Sequence, residues 1–147
     1  KELHKKTFGT LYSFAGKYRT KNISKGYTTF CQARFLDQTS KEIFRKLQLD
    51  NYLKDYALKP KEVFARKISF YMCELIALHP FFELNGRITR LFFDMIATFN
   101  GYEYINYQGA LRVTNGDNLF IKASVDCMTG NDNKMYKIIF TGLYKAE

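Results

Sequence analysis

Tryptophan is absent from this chain, and proline occurs only at Pro60 and Pro80. The sequence holds no repeat, no low-complexity run and no linker, so its 147 residues read as one domain, 1–147, with one core. Cysteine is scarce. Cys31, Cys73 and Cys127 lie far apart without a CxxC pair, which argues against a disulfide scaffold and a zinc site and points to a reducing cytosol. No apolar run approaches the roughly 18 residues that a membrane span needs, because Lys54, Lys59, Lys61 and Lys67 interrupt the longest candidate. No signal peptide is visible, so no membrane partner and a cytoplasmic location are expected. The chain begins at Lys1 rather than Met, so preceding residues are expected as well. Acidic residues are the remaining shortage: 14 against 23 basic ones give a net charge of +9. That balance favours an anionic partner, although much of it is equally a basic, soluble surface. The lysines are scattered rather than striped with aromatics, which argues against nucleic acid.

Apolar residues are plentiful, at 46% with 14 Phe and 11 Tyr, so a sizeable core can form. Lys1 to Tyr12 reads as the end of a helix with Leu3, Phe8 and Leu11 on its apolar face. Ser13 to Lys21 is irregular. Asn22 to Phe30 places β-branched and aromatic residues either side of Lys25-Gly26, the pattern of a short hairpin. Helical spacing returns over Ala33 to Leu53, at Phe35, Leu36, Ile43, Phe44 and Leu47. Pro60 suits the first turn of another helix, whose wide apolar stripe (Val63, Phe64, Ile68, Tyr71, Met72, Leu75, Ile76) predicts a buried position. Pro80 disfavours helical geometry at His79 and stops that helix. The next opens at Asn85-Gly86, turns Ile88, Leu91, Phe92, Met95 and Ile96 to the core, and ends at Asn100-Gly101. Two more helices follow, over Asn118 to Met128 and Lys134 to Tyr144. The fold class is mainly α, with one small β-hairpin.

Chemistry concentrates in one turn. His79 to Arg90, H-P-F-F-E-L-N-G-R-I-T-R, carries an imidazole, a carboxylate, an amide, a glycine and two arginines between two helices. A helix start near Asn85 offers free N–H groups and the positive end of the macrodipole, a natural anion site. Gly86 lets the backbone approach a ligand closely. Arg87 and Arg90 share the first turn, against the dipole, at a cost of some tenths of a kcal/mol each. A bound polyanion reverses that sign, and the planar guanidinium matches phosphate. The bland alternative pairs them with Glu83 or Asp94. Glu83 beside phosphates becomes useful if it holds Mg²⁺; otherwise it is a helix-start carboxylate. His79 faces the same loop and can take a proton from a hydroxyl. The other histidine, His4, has no such company. Phe81 and Phe82 are read as packing, at least one of them anchoring the loop.

The pattern H-x-F-x-E-x-N-G-R-x-x-R, at His79, Phe81, Glu83, Asn85, Gly86, Arg87 and Arg90, resembles the signature of Fic domains. The resemblance extends to Leu3–Ile23, Ser24–Phe35, Gly101–Tyr107 and the closing T-G-N-D-N-K-M-Y-K-I-I-F, essentially the whole chain. It implies a compact helical bundle that transfers AMP from ATP to a Ser, Thr or Tyr hydroxyl of a target protein. By that resemblance His79 is the general base and Glu83 holds Mg²⁺ against the phosphates. Asn85, Gly86 and Arg87 form the anion hole, Arg90 meets the terminal phosphate, and the hairpin around 22–31 (Ile23, Ser24, Lys25, Gly26) is the flap that registers the target by main-chain pairing. Members act on cytosolic bacterial enzymes or, when secreted, on host proteins, so secretion stays open.

One departure concerns Leu84, where the family usually has Gly or Ala. Its side chain is expected to crowd the anion hole, which keeps a catalytically impaired binding module as an alternative. A relative moving another phosphate-containing group is the other; Gly86, where phosphate-transferring Doc-like members carry Lys, argues against it. Many members also hold an inhibitory helix with Ser or Thr four residues before a Glu. None of the seven Glu residues has that spacing, so the inhibitor is expected on a small antitoxin-like partner or on residues preceding Lys1.

Overall fold

The computed structural model describes residues 1–147. Its centre is α4, Lys61–Leu78, whose buried side chains include Phe64, Ile68, Tyr71, Met72, Leu75 and Leu78. A helix apolar on so much of its circumference is stable only when covered on several sides. The cover comes from α2 (Leu36–Leu49), α5 (Asn85–Phe99), α7 (Leu119–Cys127) and α8 (Asn133–Gly142). Shorter helices fill the ends: α1 (Glu2–Phe8), α3 (Lys54–Ala57) and α6 (Gln108–Leu111), the last two unforeseen from the sequence.

Helix α2 buries Leu36, Ile43 and Leu47, while Phe35 and Phe44 are part-exposed. The predicted helix to Leu53 stops at Leu49, because Asn51, Tyr52 and Leu53 adopt left-handed φ angles of 50°, 49° and 67°. Asp50 secures that corner, accepting hydrogen bonds from Lys67 Nζ at 3.0 Å and Tyr71 Oη at 2.8 Å. Pro60 stands just before α4 rather than within its first turn.

Helix α5 corrects the predicted core face. Ile88, Phe93, Ile96 and Ala97 are buried, whereas Leu91 and Met95 are 36% and 50% exposed. A stripe on α5 satisfied the helical period, but its contact with α4 lies further round the helix. Helix α7 is capped by Asn118, whose Oδ1 accepts the Ile121 N–H at 2.8 Å. Helix α8 ends at Gly142, where an added Cβ would lie 2.5 Å from the Asn106 carbonyl oxygen, so only glycine fits that crossing.

Cys73 of α4 and Cys127 of α7 form a disulfide, which corrects the reading of the cysteines as unpaired. Helix packing, not sequence spacing, brings them together. Linking residues 54 apart removes on the order of 4 kcal/mol of unfolded-state entropy. Cys31 is the free thiol.

The hairpin forms as predicted. Strand β1 (Ser24–Lys25) pairs antiparallel with β2 (Thr28–Thr29), and Gly26 turns the chain at φ +59°. No helix is long and apolar enough to cross a membrane.

Candidate active site

His79 follows the last residue of α4 in left-handed geometry, φ 45° and ψ 59°, with its N–H still donating to Leu75 O at 3.1 Å. Leu84 precedes α5 at φ 70°. The turn between the helices is therefore bracketed by two non-glycine residues in a region that costs an L-residue roughly 1–2 kcal/mol. Something must hold it there.

The turn's carbonyl groups show what does. Asn85, buried at the start of α5, accepts the Phe81 N–H at 2.9 Å and donates to the Phe81 carbonyl at 2.8 Å, closing the loop on itself. Arg19 donates through Nε to the His79 carbonyl at 2.7 Å, and its backbone N–H bonds Pro80 O at 2.9 Å. His4 reaches the Glu83 carbonyl at 3.2 Å. Its Nδ1 accepts the Gly16 N–H at 3.0 Å, so Nε2 carries the proton. Phe81 is buried and stacks on the His4 ring at 3.9 Å between centroids, while Phe82 is exposed, so Phe81 anchors the loop.

With those carbonyls held on the protein side, the N–H groups of Leu84, Asn85, Gly86 and Arg87 are left without an acceptor in the protein. Free donors at a helix start, on the positive end of the dipole, form an anion-binding surface. Neither Arg87 nor Arg90 forms an ion pair. The Asp94 carboxylate instead accepts the Ile105 N–H at 3.1 Å. Arg90 lies over the Phe120 ring, 4.9 Å from its centroid. A Cβ on Gly86 would meet Arg90 Nη1 at 3.4 Å, an ordinary contact with the end of a flexible side chain.

A cavity of about 390 Å³ opens here. His79 and Ile76 of α4 line one side, and Asn85, Gly86, Thr89 and Arg90 of α5 another. The hairpin contributes Lys25, Gly26, Thr28 and Phe30. The fourth wall is α7, through Phe120, Ile121, Ser124, Val125 and Met128. The sequence reading assigned α7 no role, yet a signal was present. Leu119, Ile121 and Val125 are apolar but exposed, on a helix whose other face is already buried in the core. An apolar lobe facing a polar, cationic one suits a ligand with an apolar end and an anionic end.

The structure thus brings together His79, Asn85, Gly86, Arg90, Lys25 and Gly26. Glu83 and Arg87 are exposed beside the cavity rather than on its wall. Ile23 and Ser24 are not on its wall. Leu84 is not on that wall either, and its left-handed φ of 70° adds a backbone departure from glycine.

The His79 ring stacks on Phe30 at 3.8 Å between centroids, within 15° of parallel. Burial, then the positive charges of Arg19 and Lys25, lowers its pKa to about 4. The imidazole is therefore neutral near pH 7 and able to accept a proton. Burial likewise lowers the Arg90 pKa from its ordinary value.

Comparison with known proteins places the chain in a family. The Fic/DOC family model matches residues 1–97. The protein adenylyltransferase VbhT of Bartonella schoenbuchensis is 34% identical over 139 residues, covering 95% of this chain and 27% of that protein. A probable protein adenylyltransferase, y4lH of Sinorhizobium fredii, is 33% identical over 101 residues, covering 69% of this chain and 52% of that one. The chain thus spans about half or less of the curated relatives it matches. Among solved structures, the N-terminal Fic domain of a Bartonella quintana cell filamentation protein, with bound ADP, superimposes at a TM-score of 0.84 with 20% identity, covering 99% of this chain and 72% of that one. BepC of Bartonella tribocorum, with bound AMPPNP, reaches 0.82 with 20% identity, covering 99% and 73%. With the family match covering residues 1–97 of 147 and the signature turn folded as a helix-start anion site, this chain belongs to the Fic/DOC family.

Proposed function

We propose that this protein transfers AMP from ATP to a hydroxyl group of a target protein. The observation that carries the proposal is the row of unpaired N–H groups from Leu84 to Arg87, opening beside a neutral imidazole and a free guanidinium. The apolar α7 wall suits the base of the nucleotide, and the start of α5 with Arg90 suits its phosphates. A target hydroxyl at the flap would attack the α-phosphorus. Its proton passes to His79, the bond from the α-phosphorus to the bridging oxygen breaks, and pyrophosphate departs with that electron pair. The anion hole acts by fixed donors that need no reorganisation as charge shifts towards the leaving oxygens.

Glu83 fits a role in holding Mg²⁺. Its carboxylate has no ion pair or hydrogen bond, and no cluster of three or more acidic, His or Cys side chains stands nearby. One carboxylate plus phosphate oxygens is a donor set that magnesium accepts. When bound, the ion adds positive charge against the phosphates. The hairpin is assigned to target registration: its two-residue strands have an unpaired outer edge, and its tip is exposed. Neither arginine has a carboxylate partner, which leaves room for the carboxylate of a small inhibitory, antitoxin-like protein.

The test is incubation with ATP labelled at the α-phosphate and, separately, at the γ-phosphate, in a bacterial lysate. Label from the α position should appear on a protein, and His79→Ala should cut it about 10³-fold, the range of a lost general base. Label from the γ position alone would replace AMP transfer with phosphoryl transfer. No label from either, with ATP bound, would leave the binding-module alternative.

A further inference from the structure

Arg19 is among the few buried charged residues, only 5% exposed, and it has no carboxylate partner. Burying an unpaired cation is costly unless its donors are all taken. Here backbone carbonyls take four of the five. Nε donates to His79 O at 2.7 Å, Nη1 to Lys21 O at 2.9 Å, and Nη2 to Cys31 O and to Leu78 O, the latter at 3.2 Å. Leu78 is the last residue of α4, so the cation also sits at the negative end of that helix's dipole.

The four acceptors belong to three segments. Leu78 and His79 carry the candidate base, and Lys21 and Cys31 are the two feet of the hairpin that spans 22–31. A single planar group therefore spans base and flap. The same guanidinium holds the carbonyl of His79, whose left-handed φ of 45° needs an external constraint. Phe30, one residue before a foot, stacks on the His79 ring. The ring is thus held from its backbone side and its face by elements that Arg19 ties together.

We propose that Arg19 is a positioning residue: its guanidinium locks the His79 backbone and both feet of the flap into one frame, fixing the separation between the base and a hydroxyl presented by the flap. This rests on the proposed AMP transfer. A lysine retains the charge but not the fork, and cannot span four carbonyls in three segments.

Kinetics and NMR of nucleotide-free protein test it together. His4 and His79 are the only histidines, so their imidazole signals are readily assigned. In Arg19→Met, transfer at saturating ATP should fall about 100-fold, the scale of a misplacement near 1 Å, while calorimetric ATP affinity stays within about threefold. The His79 titration should move up towards the ordinary histidine value, since burial and Lys25 then lower it without the Arg19 charge, and amides 79–86 should exchange faster. Arg19→Lys should recover less than about a tenth of the lost rate. Rates within threefold of wild type in Arg19→Met, full recovery in Arg19→Lys, or parallel loss of ATP affinity and rate would each overturn the proposal. If Arg19→Met fails to fold, Arg19→Lys carries the same kinetic criteria. If wild type transfers no AMP, the activity is wrong but the frame is still decided: unchanged His79 titration and unchanged amide exchange on Arg19 substitution reject it.

Discussion

The turn at 79–86 and the hairpin at 22–31 face each other across one cavity, yet they are built in opposite ways. In the turn, the carbonyls of His79, Pro80, Phe81 and Glu83 are bonded to Arg19, to Asn85 or to His4, and Phe81 is sunk in the core. The hairpin rests on two paired residues per strand, plus its feet, and Tyr27 at its tip is fully exposed. A group that abstracts a proton must be held to a fraction of an ångström, whereas a surface that accepts a varied peptide gains from an open edge. In the proposed function, rigidity lies where the proton is taken and freedom where the target pairs.

This contrast predicts separable losses. Arg90→Ala removes the one free guanidinium on the rigid wall. ATP affinity by calorimetry should weaken up to about 100-fold, the scale of a lost charge-assisted hydrogen bond to phosphate, with the target KM unchanged. A drop in target affinity instead would join the two regions functionally.

Acid should act on the rigid side as well. His79 must be neutral to serve as base, and its pKa lies at about 4. Transfer rate should stay level on acidification to about pH 5 and then fall about tenfold per unit below pH 4. The sign for stability follows from the same depression. An unfolded histidine takes its proton near the ordinary pKa of about 6.5, before the folded one does, so stability should decline as pH drops from about 6.5 to about 4. A transfer rate that halves already near pH 6.5 would remove the buried base.

The flap gives a smaller, one-sided effect. Gly26 turns at φ +59° with open space around its Cβ position, so Gly26→Val introduces backbone strain and no clash. About 1–2 kcal/mol of strain should raise the target KM roughly tenfold and leave calorimetric ATP affinity within experimental error. The smallest change is expected from Leu84→Gly. It relieves a left-handed leucine at φ 70° but gives the unfolded chain more freedom, so stability in urea should rise by less than about 1 kcal/mol. A large gain in ATP affinity would mean that the leucine side chain, and not its backbone, had limited the site.

Much of this molecule was legible in the residues. The period of apolar side chains located α2, α4, α5, α7 and α8, and Pro80 and Gly26 marked a helix stop and a hairpin turn. The density of functional groups from His79 to Arg90 marked the candidate site, since a simple turn needs no imidazole and no pair of arginines. The less legible features depend on residues far apart in sequence. Leu91 and Met95 fit the helical period but face outward, because period fixes a stripe and not which neighbour covers it. Cys73 and Cys127 had no motif, because two helices bring them together. His4 looked solitary at the N-terminus and proves to hold the turn at 79–86 through Glu83, 79 residues away.

The sequence by itself determined the helical fold, the hairpin and the chemical groups of the site, because these follow from local backbone preference and from which side chains are present. Only the tertiary structure decided how the candidate site is held: Arg19 bonding the His79 backbone and the feet of the hairpin, α7 closing the cavity, and the loop carbonyls turned inward so that the N–H groups remain free. Hydrogen bonds across 60 or more residues and the meeting of four elements leave no periodic trace in the chain, so they become visible only when the chain is folded.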